Sequence, residues 1–303
     1  MTIPPRVAVV IVTYNSADVL ESCLRSLEAQ QDVHLSTVVV ADNASRDDSL
    51  AIAKAANLPV LTVEMGRNAG YAAAINAGVA AMDPIPFDAL LVLNPDCTLR
   101  ADALALLCGA LSRPGCGIVA PRLVNPDASL QPSLRRMPTL SRAFGEAMLG
   151  RLAGRTRALG ELITDPDEYA QPGQVAWATG AAMLISADAL RDIGPWDESF
   201  LLYSEETEFA LRGRDRGWTF WYEPAAEVEH AGGAQATNPA LAALSVVNKV
   251  RLFRRRNGVV ASSAHFLVVL LGESLRAATG RRTSRAAVAA LLRPSRRPQL
   301  LAD

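Results

Sequence analysis

The sequence predicts an α/β fold built on one mostly parallel, doubly wound sheet with helices on both faces. Three observations lead to this prediction. Apolar runs of strand length alternate with segments whose apolar residues recur at helical spacing. The first run, Val7 to Val12, is apolar throughout, as expected for a parallel strand covered on both faces. Each of the first four runs also ends in a polar cluster. Ligands of such sheets bind at the carboxyl ends of the strands, so these clusters should meet in one crevice.

The first part of the chain contains four predicted strands and three intervening helices. The strands are predicted at 7–12, 37–41, 60–63 and 89–93, and the helices at 17–30, 49–56 and 71–82. The polar clusters at the strand ends are Thr13 to Asn15, Asp42 to Ser45, Arg67 to Gly70 and Asn94 to Asp96.

The second part of the chain is less regular. A helix to about Leu111 and a strand at 117–121 precede the segment 125–174, which is rich in Pro, Gly and Arg. This segment should form an insertion over the crevice rather than a separate domain. Regular structure is then predicted at 175–186 (strand), 187–193 (helix), 201–212 (helical at its end), 218–222 (strand), 241–256 and 264–278 (helices).

Composition and charge limit the possible classes of protein. Half of the 303 residues are hydrophobic, which supplies a large core. The formal net charge is −1, but eleven arginines between Arg251 and Arg297 are opposed mainly by Glu273, so the C-terminal region is basic. The four cysteines lack any C-x-x-C pair and predict reduced, mostly buried thiols in a cytoplasmic protein. The run from Phe266 to Leu271 is far shorter than the about 18 residues of a membrane span, so the chain should be soluble or at most membrane-attached.

Two common nucleotide-binding motifs are missing from the sequence. The first strand is followed by Thr13-Tyr-Asn-Ser16 and not by G-x-G-x-x-G, which argues against a dinucleotide-dependent dehydrogenase. The sequence also lacks G-x-x-x-x-G-K-[ST], the phosphate-binding loop of P-loop nucleotidases.

Acidic residues at two strand ends indicate a site for a divalent cation and phosphate. Asp96 and Asp42 follow predicted strands, and Asn94 precedes Asp96 by two positions. Mg²⁺ is commonly held by one or two carboxylates together with substrate phosphates. Taken alone, each acid also has a purely structural explanation: Asp96 could be a turn residue, and Asp42 could cap a helix. Arg67 and Asn68, between two glycines, either contact a phosphate or form a surface loop.

A second acidic cluster begins a predicted helix. Glu205, Glu206 and Glu208 precede the apolar periodicity that starts at Phe209. Favourable interaction with the helix dipole explains one or two of these acids. Glu205 and Glu206 point about 100° apart on a helix, so one of them could face inward as a general base. His230 is either a metal or phosphate contact or a structural histidine.

Taken together, these segments resemble the inverting nucleotide-sugar glycosyltransferases of family 2, which have the GT-A fold. The resemblance extends from Val7 to about Gly233, and its nearest members are bacterial rhamnosyltransferase-like enzymes of cell-wall or surface polysaccharide synthesis. Six stretches carry it in order: "VVIVTYNS", "VVVADNASRDDS", "GRNAGYAAAINAG", "LLVLNPDCTL", "WATGAAMLISADALRDIGPWDESFLLYSEETEFALRGRDRGW" and "VEHAGG".

The resemblance implies a role for each matched residue. The donor nucleotide would lie against Thr13, Tyr14, Asn15 and Asp42, with Arg67, Asn68 and Gly70 along its diphosphate and Asn94 beside it. Asp96 and His230 would hold Mg²⁺ or Mn²⁺, and Trp177, Thr179 and Gly180 would lie on the acceptor side. Asn94 departs from the family, which usually has Asp there. Glu206, in a pair usually written Glu-Asp, is the implied base; the longer Glu side chain leaves the choice between Glu205 and Glu206 open.

These assignments imply a transferase of defined organisation. Residues 1–240 would form the GT-A domain, with a donor half at 1–124 and an acceptor half at 125–240, followed by a basic helical extension at 241–303. The partners would be a nucleoside-diphosphate sugar, dTDP-rhamnose among the candidates, and a glycan or lipid-linked acceptor, with no nucleic acid; a homo-oligomer is left open. Two rivals remain, a non-catalytic binding module and, more distantly, a nucleotidyltransferase.

The basic extension raises two alternatives. Its helices, with Leu252, Phe253 and the cluster from Phe266 to Leu271 beside Arg254 to Arg256, either rest on the anionic inner face of the plasma membrane or pack as a helical pair with a solvated end.

Overall fold

The computed structural model describes residues 4–232 and 237–293, which form two compact units. The first unit contains Met1–Ser133, Asp167–Leu201 and Glu205–Ala231, and the second contains Leu134–Pro166, Leu202–Ser204 and Gly232–Asp303. The limits of these units differ from the predicted domain limits at residues 124 and 240. The division into donor and acceptor halves therefore stays a prediction.

The first unit is built on a nine-stranded sheet flanked by helices. Its strands are β1 (Arg6–Thr13), β2 (His34–Asp42), β3 (Val60–Glu64), β4 (Ala89–Leu93), β5 (Cys97–Leu99), β6 (Cys116–Val124), β8 (Gly173–Val175), β10 (Ala182–Ser186) and β11 (Thr219–His230). Its helices are α1 (Ala17–Glu28), α2 (Ser49–Ala55), α3 (Tyr71–Ala81), α4 (Ala103–Leu111), α6 (Ala187–Ile193) and α7 (Glu205–Asp215). The short strand β9 (Trp177–Ala178) also belongs to this unit.

The strand order confirms a doubly wound α/β sheet. The order is β3-β2-β1-β4-β10-β6-β11-β5, with β8 paired to β11. The strands from β3 to β4 are parallel, β6 and β11 are parallel, and β10 runs antiparallel between β4 and β6. Val7 to Val12 are buried along β1. A strand in the middle of the sheet is covered on both faces, which explains its lack of alternation.

Two parts of the sheet that lie beside its polar end were not predicted. The sequence predicts a strand only at 218–222, but β11 continues to His230, and Ala226, Val228 and His230 alternate as buried residues with exposed or half-buried neighbours. The acids between them conceal this alternation. β5 is only three residues long, and its antiparallel pairing with the end of β11 is made by residues far apart in sequence.

The second unit is mainly helical. It contains β7 (Leu134–Arg135), α5 (Leu140–Leu149), a 3₁₀ turn at Gly150–Arg155, α8 (Pro239–Arg256), α9 (Val259–Ala278) and α10 (Arg282–Leu292). Lys249 lies 2.9 Å from carboxylate oxygens of both Glu146 and Glu161, and these carboxylates outweigh burial and raise the pKa of Lys249. The buried ring of His265 stacks on Phe253 with 3.9 Å between centroids.

Two predictions about the C-terminal region need correction, and part of a third lies outside the described residues. Leu252 and Phe253 are buried and therefore cannot form an exposed membrane stripe. The arginine-rich segment after Gly280 forms α10, whose Ala287, Ala290 and Leu291 are buried at helical spacing. The end of the predicted basic tail, residues 294–303, lies outside the described residues.

Helix α9 also corrects the expectation that no segment reaches the length of a membrane span. It has 20 residues and a mean hydropathy of 1.4, so its length and composition would allow it to cross a membrane. Only 22% of its most apolar window is buried. The helix extends well beyond the run at 266–271 because the small, apolar and hydroxyl residues from Val259 to Ala264 belong to it as well.

Candidate functional site

The ends of the central strands bring the predicted polar clusters to one edge of the sheet. Thr13 pairs with Asp42 in β1 and β2, and Ile11 pairs with Leu93 in β1 and β4. The antiparallel strand β10 begins beside Leu93, so the residues just before Ala182 reach the same edge. Parallel strands that end in register place their following loops together, and the expected crevice is therefore formed within the first unit.

Asp42 is the centre of a buried hydrogen-bond cluster in this edge. Its carboxylate accepts hydrogen bonds from the Thr13 hydroxyl at 2.7 Å, from the Ser45 hydroxyl at 2.5 Å and from the Ser45 backbone N–H at 2.8 Å. Thr13 and Asp42 are both almost completely buried. A carboxylate group held by three donors is fixed in position, which suits it to orient the loops around a ligand.

Tyr14, Asn15 and Asp47 lie on the loops beside the Asp42 cluster, but their surroundings differ. The Tyr14 side chain is about half exposed at the edge of the sheet. Asn15 has a φ of 51° and its side-chain oxygen accepts a hydrogen bond from the Arg46 backbone N–H at 2.8 Å. Asp47, a further acid five residues after Asp42, accepts from the backbone N–H of Ala17, the first residue of α1. Asp47 therefore fixes the loop and is not part of the metal cluster.

Position 70 requires glycine because the backbone of Leu201 lies close to it. Its φ is +94°, and an added Cβ would lie 2.5 Å from the Leu201 carbonyl oxygen. Asn43, which is buried, joins the same loop by donating to the Gly70 carbonyl and accepting from the Ala69 N–H. The Asn68 side chain accepts from the Gly70 N–H. These contacts order the loop after β3, whereas Arg67 in the same loop is exposed.

Asn94 and Tyr71 connect the end of β4 to the start of α3 and to Gly180. The Tyr71 hydroxyl lies 2.8 Å from Asn94 Oδ1 and 3.1 Å from the Gly180 carbonyl oxygen. Burial raises the pKa of Tyr71 well above its ordinary value, and Glu205 and other nearby acids raise it further. The phenol therefore keeps its proton and acts as a hydrogen-bond donor.

Asp96 and His230 form the metal-binding candidate. Asp96 follows the turn at the end of β4, and β5 pairs Cys97 with His230 at the end of β11. Asp96 Oδ1 lies 3.4 Å from His230 Nε2. Two ligands at about 2.1 Å on adjacent corners of an octahedron lie about 3.0 Å apart, so this pair fits a divalent cation.

Cys97 lies in the same cluster but is unsuited to bind Mg²⁺ or Mn²⁺. Ligand atoms of Asp96, Cys97 and His230 lie within 4.8 Å of one another. Burial raises the pKa of the Cys97 thiol well above its ordinary value, and the thiol donates to the Ala181 carbonyl. Mg²⁺ and Mn²⁺ both prefer oxygen ligands, and Mn²⁺ also binds imidazole nitrogen. Asp96 and His230 are therefore better suited than Cys97 to bind these cations.

Gln131 determines which nitrogen of His230 is available. Gln131 Nε2 lies 3.1 Å from the backbone carbonyl of His230, which can only accept, so its Oε1 faces His230 Nδ1 at 2.6 Å. In the neutral ring Nδ1 therefore carries the hydrogen. Nε2 presents its lone pair toward Asp96 and the Asn94 amide, whose Nδ2 lies 3.4 Å away. This is the tautomer that a metal-binding histidine needs.

Glu205 and Glu206 begin α7, as the sequence predicts, and lie close to the other groups. Glu205 is buried and Glu206 is partly exposed. A Cβ added at Gly180 would lie 3.1 Å from Glu206 Cβ, so Glu206 packs over this glycine. Both carboxylates act on Tyr71 electrostatically, together with Asp96. Glu208 is separate because it forms an ion pair with Arg212 at 2.8 Å.

The other predicted acceptor-side residues lie on the segment before Gly180. Trp177 and Thr179 are half-buried, and the Thr179 backbone N–H donates to the Ser133 carbonyl at 3.0 Å. The structure thus places Gly180 next to Glu206 and Tyr71, while the hydrogen bond of Thr179 fixes the segment that precedes Gly180.

Comparison with known proteins decides the family. The family model of glycosyl transferase family 2 matches residues 8–188. The chain belongs to glycosyl transferase family 2. A curated relative, the N-acetylglucosaminyl-diphospho-decaprenol L-rhamnosyltransferase of Mycobacterium tuberculosis, is 32% identical over 234 residues, which cover 73% of this chain and 75% of the relative. The low-salt glycan biosynthesis hexosyltransferase Agl10 of Haloferax volcanii is 26% identical and matches 68% of this chain and 61% of its own length.

Solved structures confirm the GT-A fold of this glycosyltransferase. The mannosyltransferase PcManGT from Pyrobaculum calidifontis, in complex with GDP-Man and Mn²⁺, has a TM-score of 0.58 and 18% identity, with 96% of this chain and 82% of that chain covered. GalNAc-T7 with UDP, GalNAc and Mn²⁺ has a TM-score of 0.57 and 17% identity, covering 81% of this chain and 48% of that chain.

No role was predicted from the sequence for three residues of this glycosyltransferase site. Asn43, Tyr71 and Gln131 each join two elements of the site through hydrogen bonds. Asn43 and Tyr71 directly follow two predicted site residues, Asp42 and Gly70. Gln131 had no signal in the sequence because its partner His230 is 99 residues away.

Proposed function

We propose that this glycosyltransferase moves a rhamnosyl residue, with inversion, from a nucleoside-diphosphate sugar to a hydroxyl of a lipid-linked acceptor in surface-glycan synthesis. The similarity to the L-rhamnosyltransferase, which spans most of both chains, carries this proposal. That relative's name gives N-acetylglucosaminyl-diphospho-decaprenol as the acceptor. The corresponding donor for the present chain would be dTDP-rhamnose.

The arrangement of acids supports a single displacement. Glu205 and Glu206 are presented by the first turn of α7, and Asp96 and His230 form a separate pair at the ends of β4 and β11. In the proposed reaction Glu206 removes the proton of the acceptor hydroxyl while that oxygen attacks the anomeric carbon. The bond from that carbon to the diphosphate breaks on the opposite face. One displacement without a covalent enzyme intermediate inverts the configuration.

Asp96 and His230 would hold Mg²⁺ or Mn²⁺, and the cation would supply charge stabilisation for the departing diphosphate. The chain itself prepares these ligands: Gln131 fixes the His230 tautomer and the Asn94 amide faces Nε2. On the donor side, Asp42 and Thr13 fix the wall on which the nucleotide would lie. Tyr14 would cover the base with its exposed ring.

A thermal-shift panel followed by a transfer assay tests this function. UDP, GDP, dTDP and their sugars are each added with and without Mg²⁺ or Mn²⁺. We expect a metal-dependent rise in melting temperature with dTDP or dTDP-rhamnose, lost in Asp96→Ala. A rise with another nucleotide would overturn the donor assignment, and no rise with any of them would favour the non-catalytic binding module.

The transfer assay uses dTDP-rhamnose and an N-acetylglucosaminyl-diphospho-lipid. Glu206→Gln should lower turnover by about 10²-fold or more with nucleotide affinity retained, if Glu206 is the base. Glu205→Gln is the matched comparison, since Glu205 is the neighbouring but more buried carboxylate. A larger loss in Glu205→Gln would transfer the role to Glu205, and full activity in both variants would remove base catalysis by this pair.

A further inference from the structure

The second unit carries most of the exposed large apolar side chains among the described residues. Of the thirteen large apolar side chains that are exposed there, eleven belong to this unit. Five come from α5 and the following 3₁₀ turn, five from α9, and one from the end of α10: Leu140, Phe144, Met148, Leu149, Leu152; Val259, Val260, Leu267, Leu271, Leu275; Leu292. Scattered apolar residues need no explanation, but a concentration of this kind marks a contact surface.

The exposed residues of α9 form one stripe opposite its packed face. Val260, Leu267, Leu271 and Leu275 follow spacings of seven, four and four residues, which place them on one side of a helix. The buried residues of the same helix, Ser262, His265, Gly272 and Glu273, lie on the other side. Gly272 lies directly against Ala147 of α5, so the two helices pack closely. Since one face of α9 packs on protein, its exposed stripe would lie along a surface and not be surrounded by lipid.

Charge identifies the kind of surface. The described part of the second unit has sixteen Arg and Lys residues against four Asp and Glu residues. Three of these acids are engaged in ion pairs, Glu146 and Glu161 with Lys249 and Glu273 with Arg276. The exposed charge of this unit is therefore almost entirely positive.

The positive charges adjoin the apolar stripes. Arg254, Arg255 and Arg256 end α8 and are exposed shortly before Val259, the first residue of α9. Arg151 and Arg155 are exposed on either side of Leu152. An apolar stripe beside exposed arginines is the pattern of helices that lie in the interface of an anionic bilayer.

We infer that the exposed faces of α5 and α9, with the arginines beside them, bind the surface of an anionic lipid bilayer. This inference deepens the proposed function, because it gives the enzyme a contact with the membrane that would contain a lipid-linked acceptor. It assigns the contact to residues 140–152 and 254–275 and not to Leu252, Phe253 or the basic end of the chain.

Vesicle sedimentation with the full chain tests this surface. The protein is mixed with vesicles of phosphatidylcholine alone or with added phosphatidylglycerol. We expect binding to the anionic vesicles, weakened by 1 M salt, at which the screening length is about 3 Å. The triple variant Val260→Ser, Leu267→Ser, Leu271→Ser should bind at least about tenfold more weakly. Leu61→Ser, an exposed leucine of the first unit, is the matched control and should bind as the unchanged chain does.

Several outcomes would overturn the inference. These are no binding of the unchanged chain to anionic vesicles, or equal binding by the triple variant. Resistance of the membrane-bound chain to alkaline carbonate would show that α9 spans the bilayer instead of lying on it. A dimer in light scattering that the triple variant loses would show that a second copy covers the stripe.

A second variant protects the test against misfolding of the first. Arg254→Glu, Arg255→Glu, Arg256→Glu changes only exposed side chains and should lower binding to anionic vesicles at least as strongly. Nucleotide binding and transfer to a water-soluble acceptor should be unchanged in both variants. Failure of the membrane contact is thereby distinguished from failure of the proposed transferase function.

Discussion

Replacement of Gly70 by Ala should destabilise the protein and slow transfer, whereas the same change at Gly66 should destabilise it less and leave transfer unchanged. Both glycines lie in the loop after β3 and both have positive φ, +94° for Gly70 and +69° for Gly66. A Cβ at Gly66 would meet no heavy atom within 4 Å. A Cβ at Gly70 would lie 2.5 Å from Leu201 O and 2.9 Å from Leu201 Cα. Comparison of the two variants therefore separates the effect of steric overlap, which only Gly70→Ala has, from the effect of a positive φ, which both variants share.

The magnitudes follow from these contacts. Gly70 has φ +94° and ψ 171°, a region that is essentially restricted to glycine and costs another residue about 1–3 kcal/mol. The overlap is with backbone atoms of Leu201, so no side-chain rotation relieves it, and such overpacking costs about 1–3 kcal/mol more. Gly70→Ala should thus lower the free energy of unfolding by about 2–6 kcal/mol. Gly66→Ala should lower it by about 1–2 kcal/mol.

Turnover should also fall in Gly70→Ala, because the displaced backbone belongs to the site. The Leu201 carbonyl accepts a hydrogen bond from the Tyr71 N–H at 2.7 Å, and Leu201 precedes Glu205 by four residues. Urea unfolding gives the stability difference, and the transfer assay at a temperature where both variants remain folded gives the rate. Equal destabilisation of the two variants, or full activity of folded Gly70→Ala, would refute this reasoning.

Three further predictions concern individual contacts. Gly180→Ala places a Cβ 3.1 Å from Glu206 Cβ, so turnover should fall about tenfold or more with unchanged nucleotide affinity; an unchanged rate would contradict this. Gln131→Leu removes the acceptor for His230 Nδ1–H, and ¹⁵N NMR should then show mixed tautomers, whereas Gln131→Glu should keep one; identical spectra for all three chains would contradict it. Burial lowers the pKa of His265 to about 4. Between about pH 6.5 and 4 only the unfolded chain binds this proton, so the free energy of unfolding should fall by up to about 1.4 kcal/mol for each pH unit by which the pH is lowered. His265→Gln should reduce this dependence of stability on pH; parallel pH profiles for the two chains would contradict the prediction.

The sequence predicts the central sheet well because local patterns determine it. The apolar runs at Val7 to Val12 and 89–93 are buried strands, and the polar residues that follow them meet at one edge. The acids at Glu205 and Glu206 begin a helix as expected. In these cases the hydrophobic period and the position of the polar residues are contained in one short segment.

Contacts between distant segments could not be predicted in the same way. The pairing of Cys97 with His230 joins residues on different strands, and the acids in β11 conceal the alternation that would reveal its length. Leu252 and Phe253 lie next to three arginines, which made them look like part of an amphipathic surface, but their helix buries them. A periodic pattern shows that one face is apolar; it does not show whether protein or lipid covers that face.

The asparagine at position 94 is explained by the same distant contacts. An amide can accept from the Tyr71 hydroxyl through Oδ1 and donate through Nδ2 toward His230 Nε2. A carboxylate at this position would accept from Tyr71 but would have no hydrogen to offer to Nε2. It would favour the opposite tautomer, with a hydrogen on Nε2 and none on the nitrogen that faces Gln131 Oε1. Asn94, His230 and Gln131 are therefore mutually dependent: with Asn in place of the acidic residue usual in the family, one carboxylate, Asp96, lies beside an imidazole nitrogen that carries a lone pair and not a hydrogen.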